Sequence, residues 1–302
     1  MELKHIKGKS KLLIGLCALF LFTCIAGVMF GGRKASASML PENGPADQAA
    51  EKVGQGMRNA STNNHTMGRS MAVKESSPYG TDVFNIGDSS RPRVDAIDVA
   101  SYQSDMTLAD YQKIKSAGVK TVIVKLTEGA SYTNPAALTQ IKNAAAAGLN
   151  VDVYHYFTSS TISGAKNEAN YLLNFLKKNK LNKNILIMND VEDDSTQTTQ
   201  IAANLNAFWD VLNTAGYKQH GIYTGASYLY RDAAANTVGF KRTWKAQYPY
   251  HPKAGTNWQT DYGAWQFSPT AKISNGDYTG YVDVEIDYVN LFTQSAGTKP
   301  FQ

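Results

Sequence analysis

Asp190-Val191-Glu192 places two carboxylates one residue apart in a chain of 302 residues. On or just past a β-strand, residues two apart project to the same side. Carboxylates held that close repel each other's charge, so one keeps its proton to a higher pH than a free acid does. A proton-holding carboxyl is what protonation of a glycosidic oxygen requires. Glu192 has the longer reach and is expected to be the general acid, with Asp190 tuning it or steadying positive charge at the reacting carbon. Because Asp193 and Asp194 follow at once, a solvated acidic turn is the plain alternative. A calcium loop is not, since the run lacks the Asp-x-Asp-x-Asp-Gly pattern and its distal Glu.

Other polar residues fall at the ends of strand-like runs: Asp98, Glu128, His155, Tyr223, Gln247, Gln266 and Asp283. Chance would put one or two acids in such places. Asp98 is too far from the helix expected near Thr107 to be its cap, so it is read as functional, positioning water or a sugar substituent. Asp283, Glu285 and Asp287 alternate along one strand face, and the choice between Asp283 and Asp287 stays open. Aromatic residues recur beside these ends, namely Tyr102, Tyr132, Tyr154, Tyr156, Tyr223, Trp244, Tyr248 and Trp265. Singly, each is ordinary core or rim packing. Together they suit a carbohydrate cleft, where flat rings cover the apolar faces of sugars. The expected substrate-binding set is therefore Tyr102, Gln103, Glu128, Tyr154, His155, Tyr156, Tyr223, Trp244, Gln247, Trp265 and Gln266. His155, between two tyrosines, also fits a hydrogen-bonded structural role.

Other chemistries lack their residues. No His-x-x-x-His or equivalent metal set occurs, and no Gly-x-Ser-x-Gly marks a serine nucleophile. Neither metal nor cofactor is expected. Both cysteines, Cys17 and Cys24, lie in an apolar run near the N-terminus, which leaves the rest without a disulfide or thiolate site.

The elements that must carry these residues alternate regularly. Strand-like runs over 95–100, 121–126, 151–157, 185–190 and 220–223 are separated by helical patterns over 107–117, 135–147, 165–178 and 198–215. Gly118, Gly148 and Gly216 stand where left-handed helix stops are expected. Later β-like runs at 243–248, 264–267 and 281–286 have only weak helical signal between them. Such alternation predicts a parallel sheet covered by helices. Roughly eight strands predict an α/β fold, a β/α barrel with fewer helices in its second half, whose active site lies at the C-terminal strand ends. An open doubly wound sheet is the alternative, but no Gly-rich nucleotide loop follows the first strand.

Outside this domain, taken as 91–296, lie three further segments. Residues 1–37 join a basic stretch (Lys4 to Lys11), an apolar run over 12–30 and the small residues Ala35-Ser36-Ala37. They read as a cleaved signal peptide or an N-terminal membrane anchor, which predicts a secreted or wall-associated protein. Residues 38–90 are poor in large apolar side chains and read as a flexible linker or propeptide; 297–302 are a short tail. The formal net charge of +5 belongs to the leader, which holds six Lys/Arg and one acid; beyond it 24 bases face 24 acids. A nucleic-acid footprint needs clustered positive charge, so no nucleic-acid partner is expected, and the protein is expected to be monomeric.

Five ordered motifs resemble glycoside hydrolase family 25, the Chalaropsis-type lysozymes, over about 93–293. Asp98-Val99-Ala100-Ser101-Tyr102-Gln103 resembles the opening Asp-Val-Ser-x-x-Gln. Lys125-Leu126-Thr127-Glu128-Gly129 with Tyr132 resembles Lys-x-Thr-Glu-Gly, and Tyr154-His155-Tyr156-Phe157 the third-strand Tyr-His segment. Asp190-Val191-Glu192 resembles the catalytic Asp-x-Glu, and Trp265-Gln266-Phe267 a late Trp-Gln-Tyr. The resemblance implies an irregular, flattened β/α (TIM-like) barrel. It implies metal-free hydrolysis of the β-1,4 bond between N-acetylmuramic acid and N-acetylglucosamine of peptidoglycan glycan strands. Glu192 would be the proton donor and Asp190 its partner, with Asp98 and Asp283 completing the acidic cluster. The chain departs from the pattern at Ala100, Asn189 and Glu285, where Ser, an apolar residue and Asn are usual. A non-catalytic wall-binding barrel and an enzyme on another N-acetylated polymer such as chitin are the competing readings.

Overall fold

The computed structural model describes residues 82–302. The leader, both cysteines and most of the expected linker lie outside the described residues. No helix among those described is long and apolar enough to cross a membrane.

Eight strands close into a ring. Six run parallel in the order β2 (Ala96–Val99), β3 (Thr121–Glu128), β5 (Asn150–Tyr156), β6 (Ile187–Asp190), β7 (His220–Gly225) and β8 (Thr243–Ala246). β9 (Ala264–Lys272) pairs in parallel with β8, and β10 (Val282–Asp287) runs antiparallel to both β9 and β2, sealing the barrel. The closure excludes the open sheet. β4 (Tyr132–Thr133) is a short antiparallel addition to β3. Helices α1 (Leu108–Ser116), α2 (Ala137–Ala146), α3 (Ile162–Lys178), α4 (Ile201–Thr214) and the short α5 (Arg231–Asn236) serve the first half, and β8, β9 and β10 are joined without α-helices.

Local chemistry explains the boundaries. Thr107 and Asp110 form a reciprocal capping box on α1, and Thr161 accepts from Gly164 N at the start of α3. Gly118, Gly148 and Gly216 follow their helices at φ of 101°, 80° and 91°, a region that costs an L side chain about 1–2 kcal/mol. Alternate strand residues supply two cores. Ile97, Val122, Val124, Val151, Val153, Ile187, Ile222 and Val284 face the helices. Ala96, Ile123, Tyr154, Met188, Tyr223 and Trp244 fill the barrel, with Leu291 and Phe292 in the same cluster.

The ordered domain extends beyond its expected limits at both ends. Residues 82–90, expected to be linker from composition, instead carry β1 (Phe84–Asn85), which pairs with β9. Phe84 stacks on Phe267 at 6.0 Å, and Arg91 binds Asp82 at 2.6 Å and Pro252 O at 3.2 Å. Beside its backbone pairing with β9, two buried apolar side chains, Phe84 and Ile86, and one ion pair hold this strand, too little apolar periodicity to signal it in sequence. Phe301 of the expected tail likewise bridges Leu181.

Candidate active site

The site forms where the parallel strands end. β2 delivers Asp98 and β6 delivers Asp190, both buried, and Glu192 follows two residues past β6 at 8% exposure. Asp283 reaches the same rim by the opposite route. Sequence placed it at the C-terminal end of its strand, but it lies near the start of β10, opposite Asp98. β10 runs downward through the barrel, so its first residues, not its last, lie at the mouth. The same reversal carries Asp287 to the floor, where it accepts from the backbone N–H groups of Val289, Leu291 and Phe292 at 3.2, 2.8 and 3.0 Å. Asp283, not Asp287, belongs to the cluster.

β3 contributes two residues through an irregularity. Lys125 pairs with Tyr154 and Thr127 with His155, leaving Leu126 extra in the register. Such a bulge shifts the alternation by one. Lys125 and Glu128, three apart and on opposite faces of a regular strand, therefore meet, with Lys125 Nζ donating to Glu128 Oε2 at 2.7 Å. The ammonium is fully buried and lies 5.1 Å from the Tyr156 ring centre and 5.4 Å from that of Tyr132. Asn134 Nδ2 donates to the Lys125 carbonyl at 2.9 Å, supporting the bulge.

Gln266 joins the acids to the tyrosines. Its Nε2 donates to Asp98 Oδ2 at 2.8 Å and to Asp283 Oδ2 at 3.3 Å. Its Oε1 accepts from the hydroxyls of Tyr223, at 2.8 Å, and Tyr248. This two-sided use fixes the amide orientation, because only nitrogen can donate to the carboxylates.

The electrostatics follow from burial. Asp190 is raised well above the carboxylate range by desolvation and by the charge of Glu192, against the pull of Lys125. Asp98 is pushed up to about 8, first by burial, while hydrogen bonds from Glu285 and Gln266 oppose the rise. Burial also lowers Lys125, although Glu128 counteracts it. Acids sharing so little solvent titrate as a group.

Not every expected residue reaches the mouth. Tyr102, Tyr132 and Tyr248 are half-buried, and Tyr156 hydrogen-bonds Asp193 Oδ2 at 3.2 Å. His155 points the other way. Its Nδ1 and Nε2 meet Thr127 Oγ1 at 2.8 Å and Glu168 Oε2 at 2.9 Å, behind the barrel wall. Trp265 also faces outward, against Trp258 and Phe267, with its Nε1 donating to Gln247 O at 2.7 Å. Trp244 and Tyr154 fill the barrel interior, and Trp244 packs on Tyr223 and Phe292. Gln103 is a local brace that accepts from Ala100 N and donates to Tyr281 O. Gln247, at 6% exposure, accepts from Gln259 Nε2. Period-two alternation decides most of these. His155 and Trp265 flank inward residues, so they must point outward. Sequence reasoning missed Lys125, although a lysine on an inward position of an apolar strand was its signal. It also gave no role to Glu285, which is fully buried beside Asp98.

A closed β/α barrel with acids and tyrosines around one mouth is the build of a glycosidase. The sequence model of glycosyl hydrolases family 25 matches residues 97–276. The chain is 34% identical over 197 residues to the lysozyme of Lactococcus phage mv1, covering 59% of this chain and 90% of that relative. It is 24% identical over 271 residues to Lysozyme M1 of Streptomyces globisporus, covering 85% and 89%. Among solved structures, the catalytic domain of an endolysin from a Listeria monocytogenes bacteriophage matches with a TM-score of 0.54 at 19% identity, over 66% of this chain and 94% of that one. A glycosyl hydrolase 25 of Streptococcus pneumoniae matches at 0.53 and 19%, over 70% and 93%. At those identities the likeness concerns the fold. The chain belongs to glycosyl hydrolases family 25 and is a glycosidase of the lysozyme, or N-acetylmuramidase, type.

Proposed function

We propose that this protein hydrolyses the β-1,4 bond between N-acetylmuramic acid and N-acetylglucosamine in peptidoglycan, with Glu192 as general acid and Asp190 as its partner. The observation that carries this reading is the state of Asp190, a fully buried strand-end acid whose two oxygens accept no hydrogen bond. Placed two residues from Glu192, it makes the pair hold a proton that separate acids would release. Glu192 is the more exposed member and delivers that proton to the glycosidic oxygen. Asp190, the ionised member of the pair while Glu192 carries the proton, faces the positive charge that develops at the anomeric carbon. Lys125, held by Glu128, keeps the local charge from becoming wholly negative. Asp98 and Asp283, bridged by Gln266, form the opposite wall, where they hydrogen-bond a sugar substituent or the attacking water. The half-buried rings of Tyr102, Tyr132 and Tyr248 offer faces for the glycan strand. Export to the wall is proposed from the basic and then apolar leader.

The test is release of new reducing ends from purified peptidoglycan by wild type and Glu192→Gln, with chitin digested in parallel. Muramic acid termini from wild type alone are the expected result. Equal release by both proteins would remove Glu192 from the mechanism, and release from chitin alone would reassign the substrate.

A further inference from the structure

Glu285 lies two residues deeper along β10 than Asp283. It pairs with Ala96 on β2 and Gln266 on β9, and Ala96 belongs to the cluster that fills the barrel. Its carboxyl is therefore inside the barrel beneath the mouth, with no exposed surface. As a carboxylate it accepts no hydrogen bond at either oxygen. The Gln266 amide nitrogen binds Asp98 at 2.8 Å and Asp283 at 3.3 Å, and of the groups that act on Glu285 it acts least. What Glu285 does face is another carboxyl, Asp98, within hydrogen-bonding reach. Two carboxylates cannot bond each other, so the contact is favourable only if one of them carries a proton. Asp98 holds the Gln266 amide at 2.8 Å, whereas Gln266 acts only weakly on Glu285, which assigns the proton to Glu285.

We propose that Glu285 is a positioning residue that stays protonated and donates its O–H to Asp98, fixing that carboxylate against Gln266. The surrounding charges agree. Asp98 on β2 and Asp283 on β10 itself face Glu285, and Glu192, beyond β6, acts on Asp98 from across the mouth. Lys125 on β3 is engaged with Glu128 and acts on Asp190 and Glu192. From β7 and the segment after β8, Tyr223 and Tyr248 present neutral hydroxyls to Gln266. Burial, followed by the charges of Asp98 and Asp283, raises Glu285 well above the usual carboxylate range. The consequence is a chain of directed hydrogen bonds, from Glu285 to Asp98, from Gln266 to Asp98 and Asp283, and from Tyr223 and Tyr248 to Gln266. It holds one wall of the cleft in a single arrangement and fails when the proton is lost.

This inference rests on the proposed glycosidase site and is tested with Glu285→Gln, Glu285→Ala and Glu192→Gln beside wild type. A glutamine reproduces the donor but cannot ionise. Glu285→Gln should keep activity within about threefold at neutral pH, and its activity should persist to higher pH than that of wild type. Glu285→Ala should lose about tenfold in kcat, as expected when a charge-assisted hydrogen bond is removed. Infrared difference spectra of wild type minus Glu285→Gln at neutral pH should show a protonated-carboxyl band without substrate. Coincident alkaline limbs, an absent band, or a Glu285→Gln protein that is as inactive as Glu285→Ala or fails to fold would each overturn the assignment. Full activity of Glu192→Gln would instead count against the proposed general acid, and the infrared result would still decide the state of Glu285.

Discussion

Asp190 and Asp287 both end strands, β6 and β10, but at opposite poles of one barrel. At the floor, Asp287 accepts from three backbone N–H groups. Its neighbour Asp95 is bound by Arg93 at 2.8 Å and Lys120 at 3.1 Å and accepts from Asp287 N at 3.0 Å. At the mouth, Asp190 accepts nothing and faces the like charge of Glu192. A buried charge without partners costs several kcal/mol even after relaxation. The floor acids thus stabilise the turn that follows β10, whereas the mouth acids are a cost to the fold and useful only once a substrate arrives. Acids with satisfied oxygens hold structure, and unsatisfied ones at a cleft point to function.

Substitutions at the two ends can break that contrast. Glu192→Gln should have the largest effect, about a 10³-fold loss of kcat, the usual scale for a missing general acid, with the thermal midpoint unchanged or raised. Asp190→Asn should cost about 10²-fold in kcat and also leave the protein as stable or more so, since it removes a repulsion. A fall in midpoint for either would mean the mouth acids hold the fold. Asp287→Ala should do the reverse, losing about 3 kcal/mol in denaturant unfolding as hydrogen bonds to a charged acceptor disappear, with kcat within about twofold.

The titration of the mouth sharpens the comparison further. Asp98, pushed up to about 8 chiefly by burial, and Glu285, raised beside it, share the titration of one buried pair. Between the ordinary carboxylate range and that value the folded state binds more protons than the unfolded chain. The contribution is thus fully present at low pH and is lost as pH rises towards about 8. Thermal melts across this window should decline for wild type and decline less for Glu285→Gln; flat melts would show that no buried proton sits there. The smallest effect is expected from Trp265→Phe, which removes one hydrogen bond to Gln247 O on the outer wall. About 1 kcal/mol should be lost, with kcat/KM nearly unchanged.

Much of this molecule was legible locally. The helix pattern between Thr107 and Ala117, the stops at Gly118 and Gly148, and the strands carrying Asp98, Glu128 and Asp190 depend on neighbours a few residues away. Period-two spacing also contained the outward direction of His155 and Trp265, although their family-like motifs point to the cleft. The bulge at Leu126 was not legible, because it exists only in the register between β3 and β5. Without it Lys125 and Glu128 face opposite ways. α5 and β1 escaped notice because each is short and owes its place to tertiary contacts.

The amino-acid order by itself determined the alternation of strands and helices, the acids at strand ends and the family pattern. These follow from backbone propensity, side-chain period and hydrophobic spacing along a few consecutive turns. Only the tertiary structure decided that β10 enters the barrel in reverse, which brings Asp283 to the mouth with Glu285 just beneath it and sends Asp287 to the floor. Strand direction is set by closing the ring between β9 and β2, and that closure brings together residues nearly two hundred positions apart.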